Sequence, residues 1–103
     1  MITLKIAPLR LEAQGHAGYD ERGRDIVCAA VSTLFSALSL GLERERNYGR
    51  LEWLDVKLND GSARISAKPI SEHHREVQLL FDVFAQALVQ IADQYPEYVR
   101  VAP

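Results

Sequence analysis

The sequence predicts a single α+β domain, residues 1–103, in which two helices cover one face of a mainly antiparallel sheet. Two pairs of short runs alternate apolar and polar residues, as half-buried strands do. Each pair is followed by a longer run with apolar residues at helical spacing. A chain of 103 residues is the size of one domain. The predicted order of elements is therefore β-β-α-β-β-α.

The first predicted hairpin lies at the amino-terminal end of the chain. Apolar and polar residues alternate from Ile2 to Ile6 and again from Leu9 to Ala13. Ala7-Pro8 separates the two runs, because proline cannot donate a hydrogen bond to a strand ladder. The second strand is expected to end at Gly15, which places His16 at its edge.

A polar segment and the first predicted helix come next. The segment Ala17–Arg24 contains two glycines and no apolar periodicity, so it is interpreted as a mobile surface loop. Asp25 is a good N-cap residue. Apolar residues then recur every three or four positions from Ile26 to about Glu43. With Asp25 as the cap, Cys28 lies in the first turn, close to the free backbone N–H groups.

The second predicted hairpin follows a polar connection from Glu43 to Arg50. Its strands are Leu51–Leu58 and Ala63–Lys68, and Asn59-Asp60-Gly61 between them is a strong signal for a tight turn. Trp53 falls on the polar face of its strand. It is equally consistent with a dimer contact and with packing on the sheet edge.

The second predicted helix begins near Glu72, with Ser71 as its cap, and is stopped by Pro96. Its apolar stripe fits an amphipathic helix that covers a sheet. The final residues, Tyr98–Val101, are consistent with either a short strand or an extended tail.

Composition argues against several classes of protein. Twelve basic and 14 acidic residues leave a net charge of −2 with no basic stripe, so direct nucleic-acid binding is not expected. A single cysteine excludes an intrachain disulfide and a CxxC metal site. The longest apolar run, Ile26–Leu42, is interrupted by polar residues and is interpreted as too short and too polar to cross a bilayer. We expect a cytoplasmic protein without a membrane partner, a metal or an organic cofactor.

The residues that carry chemistry are concentrated between Gly15 and Leu34. A thiol becomes a strong nucleophile as the thiolate. Three features favour the thiolate of Cys28: the positive end of the predicted helix, the neighbouring His16 as an imidazolium partner, and positive potential from Arg22 and Arg24. The first-turn N–H groups are also suited to stabilising an oxyanion during acyl transfer.

The residue types by themselves leave simpler explanations open. A lone cysteine in an apolar run is most often a small core residue, and a histidine after a strand is often a solvated loop residue. Asp25 is adequately explained as a cap. The hydroxyl of Ser32 can bond to the helix backbone instead of serving a site.

A family resemblance bears on this choice. Gly15-His16-Ala17-Gly18, followed by Gly23 and by Asp25-Ile26-Val27-Cys28-Ala29-Ala30-Val31-Ser32, resembles the signature of the ribosomal-processing cysteine proteases called Prp. The segment Gln90–Val99 resembles the carboxy-terminal end of that family. The chain length and the order of predicted elements also match it.

The resemblance implies roles for individual residues. Cys28 is implied as the nucleophile and His16 as the general base, with Gly15, Asp25 and Ser32 in possible supporting positions. For Asp25 the resemblance leaves open whether it orients the site or only caps the helix. The family's flexible loop, expected to order around the substrate, corresponds to Tyr19, Asp20, Glu21, Arg22, Gly23 and Arg24.

The resemblance also implies an activity and partners. Members of the family are homodimeric bacterial endopeptidases that remove an N-terminal extension from large-subunit ribosomal protein twenty-seven during ribosome assembly. The expected partner is therefore the N-terminal peptide of that precursor. The alternative is a non-catalytic dimeric module that binds a ribosomal protein or an assembly factor and keeps Cys28 buried.

Overall fold

The computed structural model describes residues 1–103 and confirms the α+β class and the order of the six predicted elements. It adds a short 3-10 helix and a fifth strand. The elements are β1 (Ile2–Ala7), β2 (Arg10–Gln14), α1 (Ile26–Asn47), β3 (Leu51–Asn59), β4 (Ser62–Pro69), the 3-10 helix (Ser71–His73), α2 (His74–Gln94) and β5 (Val99–Val101).

The five strands form one sheet in the order β3-β4-β2-β1-β5. The first four are antiparallel to one another, and the two hairpins join through β2 and β4. The carboxy-terminal residues that the sequence left undecided form β5, which runs parallel to β1 with Val99 opposite Ile2. The backbone N–H of Ile2 donates to the carbonyl of Tyr98, and that of Ala102 donates to Leu4, which extends this pairing at both ends.

A single apolar core lies between one face of the sheet and the two helices. Leu4, Leu11 and Ile65 come from three neighbouring strands and are fully buried. Phe35 of α1 and Phe81 of α2 are the largest helical contributions to the same cluster. Side chains on the alternate strand positions are largely polar and reach solvent, so both helices pack on the same face.

Two predicted helix boundaries are wrong. The helix α1 ends at Asn47 and not near Glu43, because ion pairs support the charged last turns: Glu43 pairs with Arg46 one turn later. The helix α2 begins at His74 and not near Glu72. Ser71 makes no capping hydrogen bond and instead opens a 3-10 turn, a common way for a helix to start.

The apolar run in α1 was interpreted as too short and too polar to cross a bilayer, and the full length of the helix corrects this. At 22 residues, the helix is long and apolar enough to cross a membrane by length and composition alone. Core helices of soluble proteins pass the same test. Here Val27, Val31, Phe35, Leu38 and Leu42 are buried against the sheet and α2, and they place α1 in the protein core.

Gly15 is required by the fold at the point where β2 meets the loop. Its φ is +101°, and a Cβ built there would lie 2.4 Å from the backbone carbonyl oxygen of Met1. Gly49 offers a matched comparison, because its φ is +73° and no heavy atom lies within 4 Å of such a Cβ.

We predict that Gly49→Ala lowers the free energy of unfolding by about 1–2 kcal/mol, the strain of a side chain in the left-handed region. Gly15→Ala should cost more, because the backbone of Met1 must also move. Urea denaturation followed by circular dichroism measures both. Equal losses in the two variants would contradict a steric role for Met1.

Candidate active site

Cys28 lies in the first turn of α1 and lines an open cleft of about 590 Å³. The thiol is half-buried, and its Sγ accepts a hydrogen bond from the backbone N–H of Ala17 at 3.2 Å. This donor follows His16 directly in the chain, so the segment after β2 reaches the sulfur. An accessible thiol at the wall of a cleft does not fit the alternative in which Cys28 is a buried core residue.

His16 lines the same cleft from the end of β2. Its side chain is 63% exposed, and Nε2 lies 3.9 Å from Oδ1 of Asp60. The ring occupies the space beside Gly61, where a Cβ would come within 2.8 Å of Nε2. No hydrogen bond joins the imidazole to the thiol of Cys28. The structure thus brings the two predicted residues to one cleft without placing them in direct contact.

Asp25 joins the helix to the loop through both carboxylate oxygens. Oδ1 accepts from the backbone N–H of Val27 at 3.0 Å and of Cys28 at 2.9 Å, which caps α1. Oδ2 accepts from Tyr19 at 3.0 Å and from Asp20 at 3.4 Å. The structure therefore shows the capping role, and the same side chain also holds the loop against the helix.

These contacts determine the charge of Asp25. Desolvation by partial burial raises the pKa of its carboxyl group, but hydrogen bonds from the N–H groups of Cys28, Tyr19, Asp20 and Val27 lower it by more. The net effect is a pKa below the ordinary value of 3.8. Asp25 is consequently a carboxylate throughout the neutral range, at the positive end of α1.

The capping geometry corrects one expectation about oxyanion stabilisation. The N–H groups of Val27 and Cys28 were candidates for that role, but both donate to Asp25. The N–H of Ala29 donates to the carbonyl of Asp25 as the first intrahelical bond. The donor that reaches the sulfur comes from Ala17, outside the helix.

The predicted substrate loop forms one side of the cleft, although not all its residues line it. Asp20, Arg22, Gly23 and Arg24 do. Glu21 does not line the cleft and pairs with Arg24 at 3.4 Å. Arg22 reaches across to Asp60 at 3.4 Å. The two arginines were expected to add positive potential at the cysteine, but each has an acidic partner in the structure.

Tyr19 anchors the start of this loop. Its ring packs edge-on against Tyr98, with ring centroids 5.1 Å apart, and against Tyr95 at 5.6 Å. The loop was expected to lack any such anchor, because no apolar periodicity runs through it. Its attachment comes from a single aromatic residue and from Asp25, neither of which produces a periodic pattern.

Two polar side chains complete the description of the cleft. Ser32 lies one turn after Cys28 and lines the cleft, and its hydroxyl makes no hydrogen bond to the helix backbone. Asp60 lines the cleft from the β3–β4 turn. The sequence analysis used Asn59-Asp60-Gly61 only as a turn signal and missed the position of Asp60 beside His16.

No group of three or more histidine, cysteine or acidic side chains is arranged to hold a metal ion.

We predict a pH-dependent contribution of Asp25 to stability. Because its folded-state pKa is depressed, the contribution is present above the unfolded value of 3.8 and is lost as pH falls through the folded-state pKa. Asp25→Ala should cost about 1 kcal/mol at neutral pH, as loss of an N-cap does. Urea denaturation of both proteins across a pH series should show the difference shrinking below pH 3.8.

The matched control is Asp93→Ala, since Asp93 is exposed on α2 and makes no ion pair or side-chain hydrogen bond. Its effect on stability should stay small across the same pH series. A cost of Asp25→Ala that does not change with pH would contradict the charged, hydrogen-bonded carboxylate described above.

Comparison with known proteins shows which family this chain belongs to. The family model described as cysteine protease Prp matches residues 1–100. A ribosomal processing cysteine protease Prp from Mycoplasma genitalium is 31% identical over 101 residues, which cover 98% of this chain and 94% of the relative.

Solved structures share the fold. The essential ribosomal processing protease Prp from S. aureus, solved with a covalently linked product peptide, superposes with a TM-score of 0.69 at 27% identity, covering 98% of this chain and 97% of the other. A structure from Streptococcus mutans gives a TM-score of 0.67 at 34% identity, with 97% and 89% covered. The expected resemblance is confirmed: this chain belongs to the Prp family of cysteine proteases and is a cysteine peptidase.

Proposed function

We propose that Cys28 is the nucleophile of this peptidase and that His16 is its general base. The observation that carries the proposal is the position of the thiol. It lies in the first turn of a helix, in an open cleft lined by His16, and accepts an N–H from the residue after that histidine. A histidine and a thiol that share a cleft fit the thiolate–imidazolium pairing of cysteine proteases.

The proposed reaction needs only these two side chains and water. His16 takes the proton of the thiol, and Sγ of Cys28 forms a bond to the carbonyl carbon of the scissile peptide. The C–N bond then breaks, and His16 returns the proton to the leaving amine. Water hydrolyses the resulting thioester, which releases the acid and restores the thiol. His16 is exposed and makes no hydrogen bond through its ring, so its side chain can turn toward the sulfur.

We propose that the substrate is the N-terminal extension of the large-subunit ribosomal protein twenty-seven precursor. Relatives named as ribosomal processing proteases support a ribosomal substrate, and the S. aureus relative was solved with a product peptide covalently linked. The open cleft between the Tyr19–Arg24 loop and the β3–β4 turn is suited to an extended peptide.

We further propose that the protein acts as a homodimer in the cytoplasm, where ribosomes are assembled and a free thiol stays reduced. Several large apolar side chains on the helices face solvent, including Leu40, Leu79 and Val83 at 71%, 61% and 53% exposure. An interface between two copies would remove these side chains from water, which is favourable for apolar surface. Trp53, half exposed on the edge strand β3, remains a candidate for the same contact.

We predict that the purified protein cuts the precursor of its own organism's ribosomal protein once, near the amino terminus, and that Cys28→Ala abolishes the cleavage. Mass spectrometry of the products locates the cut. His74→Ala is the control, because His74 is exposed at the start of α2 and outside the cleft. Cleavage that persists in Cys28→Ala, or a ribosomal protein that carries no extension, would contradict the proposal.

We also predict that iodoacetamide labels the folded protein faster at neutral pH than the urea-unfolded chain, because folding places the thiol in an open cleft that it shares with the proposed base His16. Cys28 is the only cysteine, so the total label reports this site alone. Protection of the thiol in the folded state would favour the non-catalytic binding module instead.

A further inference from the structure

Asp60 faces the active-site cleft from the tight turn between β3 and β4. Its Oδ1 lies 3.9 Å from Nε2 of His16, and its Oδ2 lies 3.4 Å from Nη1 of Arg22. It also lines the smaller cavity behind the cleft, together with His16 and Cys28. No other carboxylate in the structure pairs with the His16 ring.

Backbone contacts fix this turn beside His16. The N–H of Gly15 donates to the carbonyl of Gly61 at 2.9 Å, which ties the turn to the residue before the histidine. Gly61 also leaves room for the imidazole, since any Cβ there would approach Nε2 to 2.8 Å. The pairing of β2 with β4 continues to Gln14 and Ser62, directly next to this contact. The sheet therefore holds the backbone of Asp60 beside that of His16.

We propose that Asp60 is the positioning residue for His16, orienting the imidazole and stabilising its protonated form. The proposal rests on the assignment of His16 as the general base. When the histidine takes the thiol proton it becomes a cation, and a carboxylate at 3.9 Å then attracts it. This distance is too long for a hydrogen bond, so the effect is electrostatic. It is greatest when His16 is charged, which is the state that accompanies the thiolate.

Arg22 competes for the same carboxylate. It occupies Oδ2 and links the substrate loop to the β3–β4 turn, so Asp60 could also act on the site through the loop. The test must separate an effect through His16 from an effect through Arg22. The main measurement must also work without the peptide substrate. Its result then remains interpretable even if the proposed substrate is wrong.

The test is the rate of iodoacetamide labelling of Cys28 at neutral pH, in the full chain. Asp60→Asn keeps the size of the side chain and removes its charge, and should slow labelling about fivefold, the scale expected for an exposed ion pair. Asp55→Asn is the matched control. It makes the same change in the same hairpin, where Asp55 pairs with Arg64 on the polar face of the sheet at 3.2 Å, and should leave the rate unaltered.

A double-variant comparison assigns the effect to the histidine. His16→Gln should itself slow labelling, and adding Asp60→Asn to it should cause no further slowing. Asp60→Glu, which keeps the charge, should recover part of the rate lost in Asp60→Asn. In a peptide-cleavage assay, Asp60→Asn should lower kcat and leave KM within about twofold, since the residue acts on the base and not on the peptide.

Three results would overturn the proposal. One is an Asp60→Asn rate equal to that of Asp55→Asn. Another is slowing of the same size in the His16→Gln background. The third is an equal slowing by Arg22→Gln, which would assign the effect to the loop. If His16→Gln labels as fast as the natural protein, the proposed general base is wrong, and this outcome is distinct from a failure of Asp60 alone.

Discussion

One carboxylate holds the active-site cleft together. Asp25 accepts four backbone N–H groups, two from the first turn of α1 and two from the beginning of the preceding loop. The loop therefore starts and ends on the same side chain, and the Tyr19 ring is fixed a second time against Tyr95 and Tyr98. Between these supports, Asp20, Arg22, Gly23 and Arg24 line the cleft. The same side chain caps the first turn of α1, which carries Cys28. Asp25 therefore holds both the thiol and the start of the loop in place.

The opposite wall of the cleft belongs to the sheet. Because β2 pairs with β4, the end of the first hairpin meets the turn of the second, and Gly15 bonds to Gly61 across this junction. A further hydrogen bond holds the same segment, since the amino group of Met1 donates to the carbonyl of His16 at 2.6 Å. His16 thus projects from a rigid backbone, and the loop that faces it is held mainly at its two ends. A peptide in this cleft would lie between a fixed wall and an adjustable one.

The sequence predicted what depends on local periodicity and missed what depends on pairing between distant segments. Alternation located four strands, helical spacing located both helices, and Asp25 placed Cys28 in a first turn. Nothing local indicates that β2 lies next to β4, so the contact of Asp60 with His16 could not be predicted from an Asn-Asp-Gly turn. The partner of Arg22 was hidden for the same reason, and β5 depends on a parallel neighbour at the other end of the chain. The charged end of α1 was missed because ion pairs one turn apart sustain a helix without an apolar stripe.

The separation of His16 from Cys28 also has a structural explanation. The sulfur accepts the N–H of Ala17, and the imidazole of the preceding residue turns to the β3–β4 turn. Only rotation about side-chain bonds is needed to reverse this, because the ring is largely exposed and Gly61 presents no side chain against it. A peptide that covers the cleft would exclude water from the imidazole and strengthen its attraction to a thiolate. In the proposed reaction, substrate binding therefore strengthens a catalytic pair that His16 and Cys28 can already form in the free protein.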